Sequence, residues 1–246
     1  QMHAELGNDP QIKYLYEVPG ATPGRDPDPQ DLSDEVMSDP ENPLVGARQG
    51  FWDYRAAMNF TLGGMTSGLV IIAYLAHLTG LLHAGALPLL NAMAAIGMAV
   101  GLFFVFLEIG RKLRFLNVLL RPQSSWITRE TYFVVLFYPT VAADLIWPHG
   151  LLHLLAALAA AGFLYSQARI LQAGKGIPAW RHPRIPLMLV ATGLFEGVGL
   201  LALITLIDPP LFAIGKPLAA AGIVLALVNA GLWRSYMKSA KKEGIG

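Results

Sequence analysis

Cysteine is absent from this chain of 246 residues. That excludes a disulfide, a thiolate nucleophile and an iron–sulfur cluster held by the chain's own cysteines, so any such cluster must sit in a partner. Charge is also scarce. Asp, Glu, Lys and Arg make up 14% of the residues, against about 25% in an ordinary soluble domain. No Gly-rich phosphate loop with a following Lys, no HExxH pair and no Ser/His/Asp signature occurs. No apolar h-region lies near the start, so the first segment is not expected to be a signal peptide.

The apolar content is high instead: 54% of residues are hydrophobic and the mean hydropathy is +0.47. This composition implies an all-α, polytopic transmembrane helix bundle. Six apolar runs, about 57–79, 87–109, 131–147, 150–168, 186–207 and 211–233, approach the ~20 residues needed to cross a ~30 Å hydrocarbon core. The third and fourth are separated only by DLIWPHG, where Pro148 and Gly150 favour a turn over one long helix. Residues 1–50 are rich in Pro, Asp and Gly and have no periodic apolar face. They are expected to form an extended acidic arm on a partner subunit, because Tyr14, Leu15, Tyr16 and Val18 are out of place in a solvated tail. The expected organisation is this arm, a helical bundle over 51–235 and a basic tail over 236–246.

The few charges are unevenly placed. Residues 1–55 hold eleven acidic and four basic side chains; the rest hold six acidic and fourteen basic ones. Thirteen of those fourteen cations fall in alternate loops and the C-terminal tail, and only Lys216 falls on the other side. An excess of Lys and Arg marks cytoplasmic loops. The pattern predicts both termini in the cytoplasm, in keeping with an even number of spans. Trp52, Trp126, Trp180 and Trp233 then lie at the cytoplasmic interface and Trp147 at the opposite one.

Ionisable groups within spans are costly and therefore candidate functional residues. They are Glu108 at the end of the second span, Glu130 opening the third, Asp144 near its far end and Glu196 midway along the fifth. Each also has a plainer role. Glu108 and Arg111 are three apart and can pair. Glu130 can complement the positive end of its helix dipole, with Ser125 or Thr128 as the cap. Glu196 suits an interhelical hydrogen bond, and Asp144 an interfacial, solvated position. Gly64 and Gly68 make a small-xxx-small face, suited to close helix packing or to a flat headgroup. His77, His83, His149 and His153 gather on the non-cytoplasmic side. They are interfacial histidines or, in a haem b carrier, axial ligands.

The stretch LEIGRKLRFLNVLLRPQSSWITRE, residues 107–130, resembles the NrfD/DmsC family of membrane anchor subunits of molybdopterin oxidoreductases. Glu108, Ile109, Gly110, Arg114, Phe115, Asn117, Ser124, Ser125 and Glu130 fill the family's pattern of a span end, a cationic loop and a carboxylate before the next span. Residues 51–69, FWDYRAAMNFTLGGMTSGL, look like the Gly-rich first span of such anchors. The likeness covers about 80 residues. Many relatives have His at the place of Glu108, Pro at that of Lys112, and eight or more spans.

The resemblance implies a quinone site, for menaquinone or ubiquinone, that exchanges electrons with a partner. Glu130 and Glu108 are the implied proton-transferring carboxylates, and Asn59, Gly64, Arg111, Ser125 and Arg129 the expected surroundings of the headgroup. The implied partners are a ferredoxin-like subunit with [4Fe–4S] clusters and a catalytic subunit with molybdopterin (Mo or W). A cytoplasmic loop suits a substrate confined to that side, and the long arm with FWDYRAA is similar to the anchors of phenylacetyl-CoA:acceptor oxidoreductases. Two other classes compete: a small proton-coupled transporter using Glu196 and Asp144, and the haem b carrier.

Overall fold

The computed structural model describes residues 54–108, 116, 118–120, 122–123, 125–174, 177–207 and 209–242. The expected N-terminal arm, together with Trp52 and Arg111, lies outside the described residues. Among the described residues six α-helices account for the architecture: α1 (Tyr54–Leu78), α2 (Leu87–Glu108), α3 (Trp126–Ile146), α4 (Gly150–Gln172), α5 (Ile185–Ile207) and α6 (Gly215–Lys242). No strand occurs among the described residues. This is the all-α polytopic bundle that the composition implies. The shortest helix has 21 residues, about 32 Å at 1.5 Å per residue, enough to cross a ~30 Å core. Five of the six are also apolar enough to cross a membrane. α3 is the more polar one, because its buried face carries Thr128, Glu130, Thr140 and Asp144.

The expected break at Pro148 and Gly150 is present. Trp147 ends α3, and the His149 ring accepts from the Leu151 amide to start α4. α3 begins a turn earlier than the apolar run suggests, because the Ser125 hydroxyl caps it by accepting from the Thr128 amide at 3.2 Å. Arg129 and Glu130 therefore stand inside the helix. α6 continues past the expected boundary at 235, so residues 236–242 belong to the helix and not to a separate tail. Tyr236 and Ala240 pack against Ile185, and the Tyr236 hydroxyl donates to the Ala179 carbonyl at 3.2 Å.

Consecutive helices joined by such short links run antiparallel. α1 is central and packs against α2, α4 and α5; α3 lies mainly against α4, and α6 against α5. The interior holds small side chains such as Ala73, Ala94, Ala156, Ala159 and Ala160, while large apolar groups face outward. On α2, Leu89, Met93, Ile96, Val100, Phe103 and Leu107 are exposed at spacings of three and four, one continuous apolar stripe. That is an inverted soluble pattern. Lipid is as apolar as leucine, so helices associate through close packing rather than through hiding oily surface.

The closest approach is between α1 and α5. A Cβ on Gly68 would strike the Gly193 carbonyl, and one on Gly197 would strike the Gly68 backbone. Gly64 faces Gly193 in the same seam. The small-xxx-small face on α1 therefore meets a second one, Gly193 and Gly197, on α5. Gly199 lies on the same helix, but a Cβ there meets nothing within 4 Å. Gly197→Ala is expected to destabilise the bundle by about 1–3 kcal/mol through overpacking, whereas Gly199→Ala leaves it unchanged or firmer. Thermal unfolding of the two variants in detergent checks this; equal midpoints would contradict the seam.

Candidate functional site

The start of α3 carries two sets of side chains that point to different tasks. One set fastens the preceding loop. Thr128 donates through its hydroxyl to the Val118 carbonyl, and the Arg129 guanidinium donates to the carbonyls of Pro122 at 2.8 Å and Gln123 at 2.9 Å. Tyr132 donates to the Leu119 carbonyl at 2.7 Å. Ser125 is occupied as the helix cap. Ser125 and Arg129 thus shape the loop.

Glu130 belongs to the other set and is buried, with 7% of its surface exposed. Its carboxyl group lies against the Gln167 side chain of α4. Gln167 donates to the Asn59 main-chain carbonyl on α1 at 3.3 Å. One carboxyl oxygen of Glu130 and the side-chain oxygen of Asn59 have no hydrogen-bond partner among the described residues. Glycines let the helices close on this cluster. A Cβ on Gly63 would collide with the Gln167 amide, and one on Gly101 of α2 would lie 3.4 Å from the Asn59 side-chain oxygen. Glu130 is four residues into its helix, Asn59 five into its own and Gln167 five from the end of α4. The cluster lies about 8 Å inside the basic end of the bundle.

The structure brings Asn59 and Glu130 together through Gln167, an amide that a survey of ionisable groups passes over. Its signal was present: a lone Gln in the run AAGFLYSQARI, embedded among apolar residues. Gly64 is one residue beyond Gly63 but faces α5, where a Cβ would sit 3.5 Å from a Glu196 carboxyl oxygen. Glu108 is the last residue of α2; its side chain and Arg111 lie outside the described residues, and so does their expected pairing.

A second buried polar cluster stands at the opposite end. Asp144 is not a solvated interfacial carboxylate: it is fully buried. The Asn91 amide of α2 donates to one of its oxygens at 3.3 Å. The other oxygen lies 3.0 Å from Nε2 of His153 on α4. The ring is not aligned for a hydrogen bond, and neither of its nitrogens has a hydrogen-bond partner among the described residues. The contact is therefore one of proximity. The other histidines of this end have local partners. Nδ1 of His77 is 3.1 Å from the Leu82 carbonyl, and its ring packs edge-on to His153. Nδ1 of His83 accepts from the Gly85 amide, as His149 does from Leu151.

One register links both clusters. Glu130 and Asp144 are fourteen residues apart on α3, and His153 and Gln167 fourteen apart on α4. Fourteen residues are close to four helical turns, about 21 Å. In an antiparallel pair the same alignment therefore sets Glu130 beside Gln167 and Asp144 beside His153. Between the two pairs lie the wholly buried Phe137 and Phe163.

No family model and no curated protein matches the chain. The chemistry must therefore be argued from these residues. If the far cluster is an interacting unit, a double-mutant cycle with Asp144→Leu and His153→Leu will give a coupling of about 1 kcal/mol in thermal or denaturant unfolding. Additive losses would contradict it.

Proposed function

We propose that the chain is the membrane anchor and quinone-binding subunit of an oxidoreductase complex, passing electrons between an iron–sulfur partner and the membrane quinone pool. The observation that carries this reading is Glu130. Its carboxyl group is buried near one end of the bundle, and one oxygen lacks a hydrogen-bond partner among the described residues; the Asn59 amide oxygen, on the other side of Gln167, is in the same condition. A buried polar atom without a partner is costly, more so in a lipid environment. A ligand that enters from the membrane and presents hydroxyl donors at this depth, as a quinol does, fits that demand. The likeness of residues 107–130 to the NrfD/DmsC anchors supports the same reading.

A quinone supplies two-electron, two-proton chemistry at a flat headgroup. Glu130 holds and moves a proton at its carboxyl oxygen, as a general acid or base. Asn59 accepts a hydrogen bond from a quinol hydroxyl at its side-chain oxygen. Gln167 holds the Asn59 backbone by donating to its carbonyl and lies against the Glu130 carboxyl group. Phe137 and Phe163 separate Glu130 from Asp144, so protons handled at Glu130 exchange with the basic end and the step is electroneutral. In this proposal the basic end is cytoplasmic, in a prokaryotic inner membrane. A ferredoxin-like subunit docks there with its terminal [4Fe–4S] cluster, next to a catalytic subunit holding molybdopterin (Mo or W). Phenylacetyl-CoA is the proposed substrate of that subunit.

The buried Asp144–His153 contact favours a second reading, a small proton-coupled transporter, since paired ionisable groups inside a span mark proton routes. Co-purification separates the two: an iron–sulfur partner accompanies an anchor and not a transporter. For the anchor, Glu130→Gln in the intact complex is expected to slow quinol formation about 100-fold or more. Unchanged turnover together with unchanged quinone affinity would remove Glu130 from the role.

A further inference from the structure

Glu196 stands at the middle of α5, with eleven residues of the helix before it and eleven after. In a bilayer that is the midplane, where an ionisable side chain is most costly. The residue is partly exposed, and among the described residues its carboxyl group takes part in no hydrogen bond and no ion pair. The interhelical hydrogen bond that the sequence suggests is therefore not made within one copy. The helices that flank it, α1, α5 and α6, are described along their whole length, so none of their side chains supplies the missing partner.

One carboxyl oxygen of Glu196 lies 3.5 Å from where a Cβ on Gly64 would stand, so the group sits at the outer edge of the α1–α5 seam. Beside it α5 presents a free face: Thr192, Phe195, Gly199 and Leu203 are exposed at spacings of three and four. Thr192 is already provided for. It donates to the side-chain oxygen of Asn229 on α6 at 3.0 Å, and Asn229 in turn donates to the Ala191 and Leu225 carbonyls. A Cβ on Gly199 meets nothing within 4 Å. The face therefore has a dent next to the carboxyl group, where the backbone of another helix can come close.

We infer that this face of α5 is a contact between two copies of the chain, with Glu196 of one copy paired to Glu196 of the other. The distribution of charge fixes the geometry. Thirteen of the fourteen cations beyond residue 55 fall in alternate loops and the C-terminal tail, and only Lys216 on the other side, so every copy enters the membrane in the same sense. Two such copies meet about an axis along the membrane normal, and a closed pair uses the same patch on both. A residue of that patch then meets its counterpart at the same depth. A protonated carboxyl group has one donor and an acceptor oxygen, so two of them satisfy each other. The partners proposed above dock at the basic end, outside the membrane, and offer no group at this depth. The inference goes beyond the quinone reading, and its test does not involve turnover.

The chain has no cysteine, so a single introduced thiol reports a single position. The full-length chain with Gly199→Cys, oxidised by copper phenanthroline in isolated membranes, is expected to give a disulfide-linked dimer on a non-reducing gel. Ile96→Cys, on the exposed stripe of α2, is the control and is expected to stay monomeric. Adding Glu196→Leu to Gly199→Cys lowers the dimer yield about fivefold, the effect of one interhelical hydrogen bond. Glu196→Gln keeps most of the yield, because an amide is also both donor and acceptor. The unfolding midpoint of each variant separates loss of pairing from loss of fold, and the comparison of Gly199→Cys with Ile96→Cys stands without either Glu196 variant. No dimer from Gly199→Cys, or an equal yield from Ile96→Cys, would overturn the inference. So would an unchanged yield with Glu196→Leu, or a crosslink to a protein of different mass, which would identify another membrane helix as the occupant.

Discussion

A polar group inside a bilayer must find its partner within the protein, and the antiparallel register of α3 and α4 is how this chain meets that demand. One alignment of two helices seats Glu130 against Gln167 near one end and Asp144 against His153 near the other. Asn59 and Asn91, from α1 and α2, extend each pair into a cluster. A slip of one residue in this register turns both carboxyl groups away from their partners by about 100° at once. Polar pairs at both ends thus specify the pairing of two helices whose remaining contact is apolar and tolerant of sliding.

The glycine seam between α1 and α5 has a complementary task. It brings backbones to contact where no large side chain intervenes, the form of attraction that remains when the surrounding solvent is itself apolar. Together the seam and the register hold α1, α3, α4 and α5 closely enough that Asn59 and Glu130 both adjoin Gln167. α6 lies outside this set, packed on α5 with most of its apolar surface outward. Its contribution to the site is indirect.

Much of the fold is legible in the sequence because spans are long, apolar and separated by charge. Runs such as 87–109 and 186–207 differ from the observed α2 and α5 by one residue at most. The ends of α3 and α6 are less legible. Ser125 extends α3 backward through residues that carry charge, and the amphipathic last turns of α6 carry Lys238, Lys241 and Lys242, so hydropathy stops short of both. The site is legible in part. A carboxylate at position 130 and an amide at 59 stand out in apolar surroundings, but hydropathy cannot say which helix faces which, and so cannot supply Gln167 as the link. Gly64 illustrates the same limit: its neighbour Gly63 faces Gln167, and Gly64 itself faces Gly193. Asp144 reads as interfacial in the sequence because its place near a helix end suggests water, whereas Asn91 and His153 enclose it.

The proposed chemistry draws on one end only. The far cluster is enclosed and separated from Glu130 by aromatic side chains, so the proposed quinone contact is confined to the basic end. Photolabelling of the intact complex with an azidoquinone, followed by peptide mapping, tests that claim most directly. The account predicts saturable labelling of peptides containing Asn59, Glu130 or Gln167, suppressed by excess quinone. Labelling concentrated around Asp144 and His153, or labelling that excess quinone does not suppress, would contradict it.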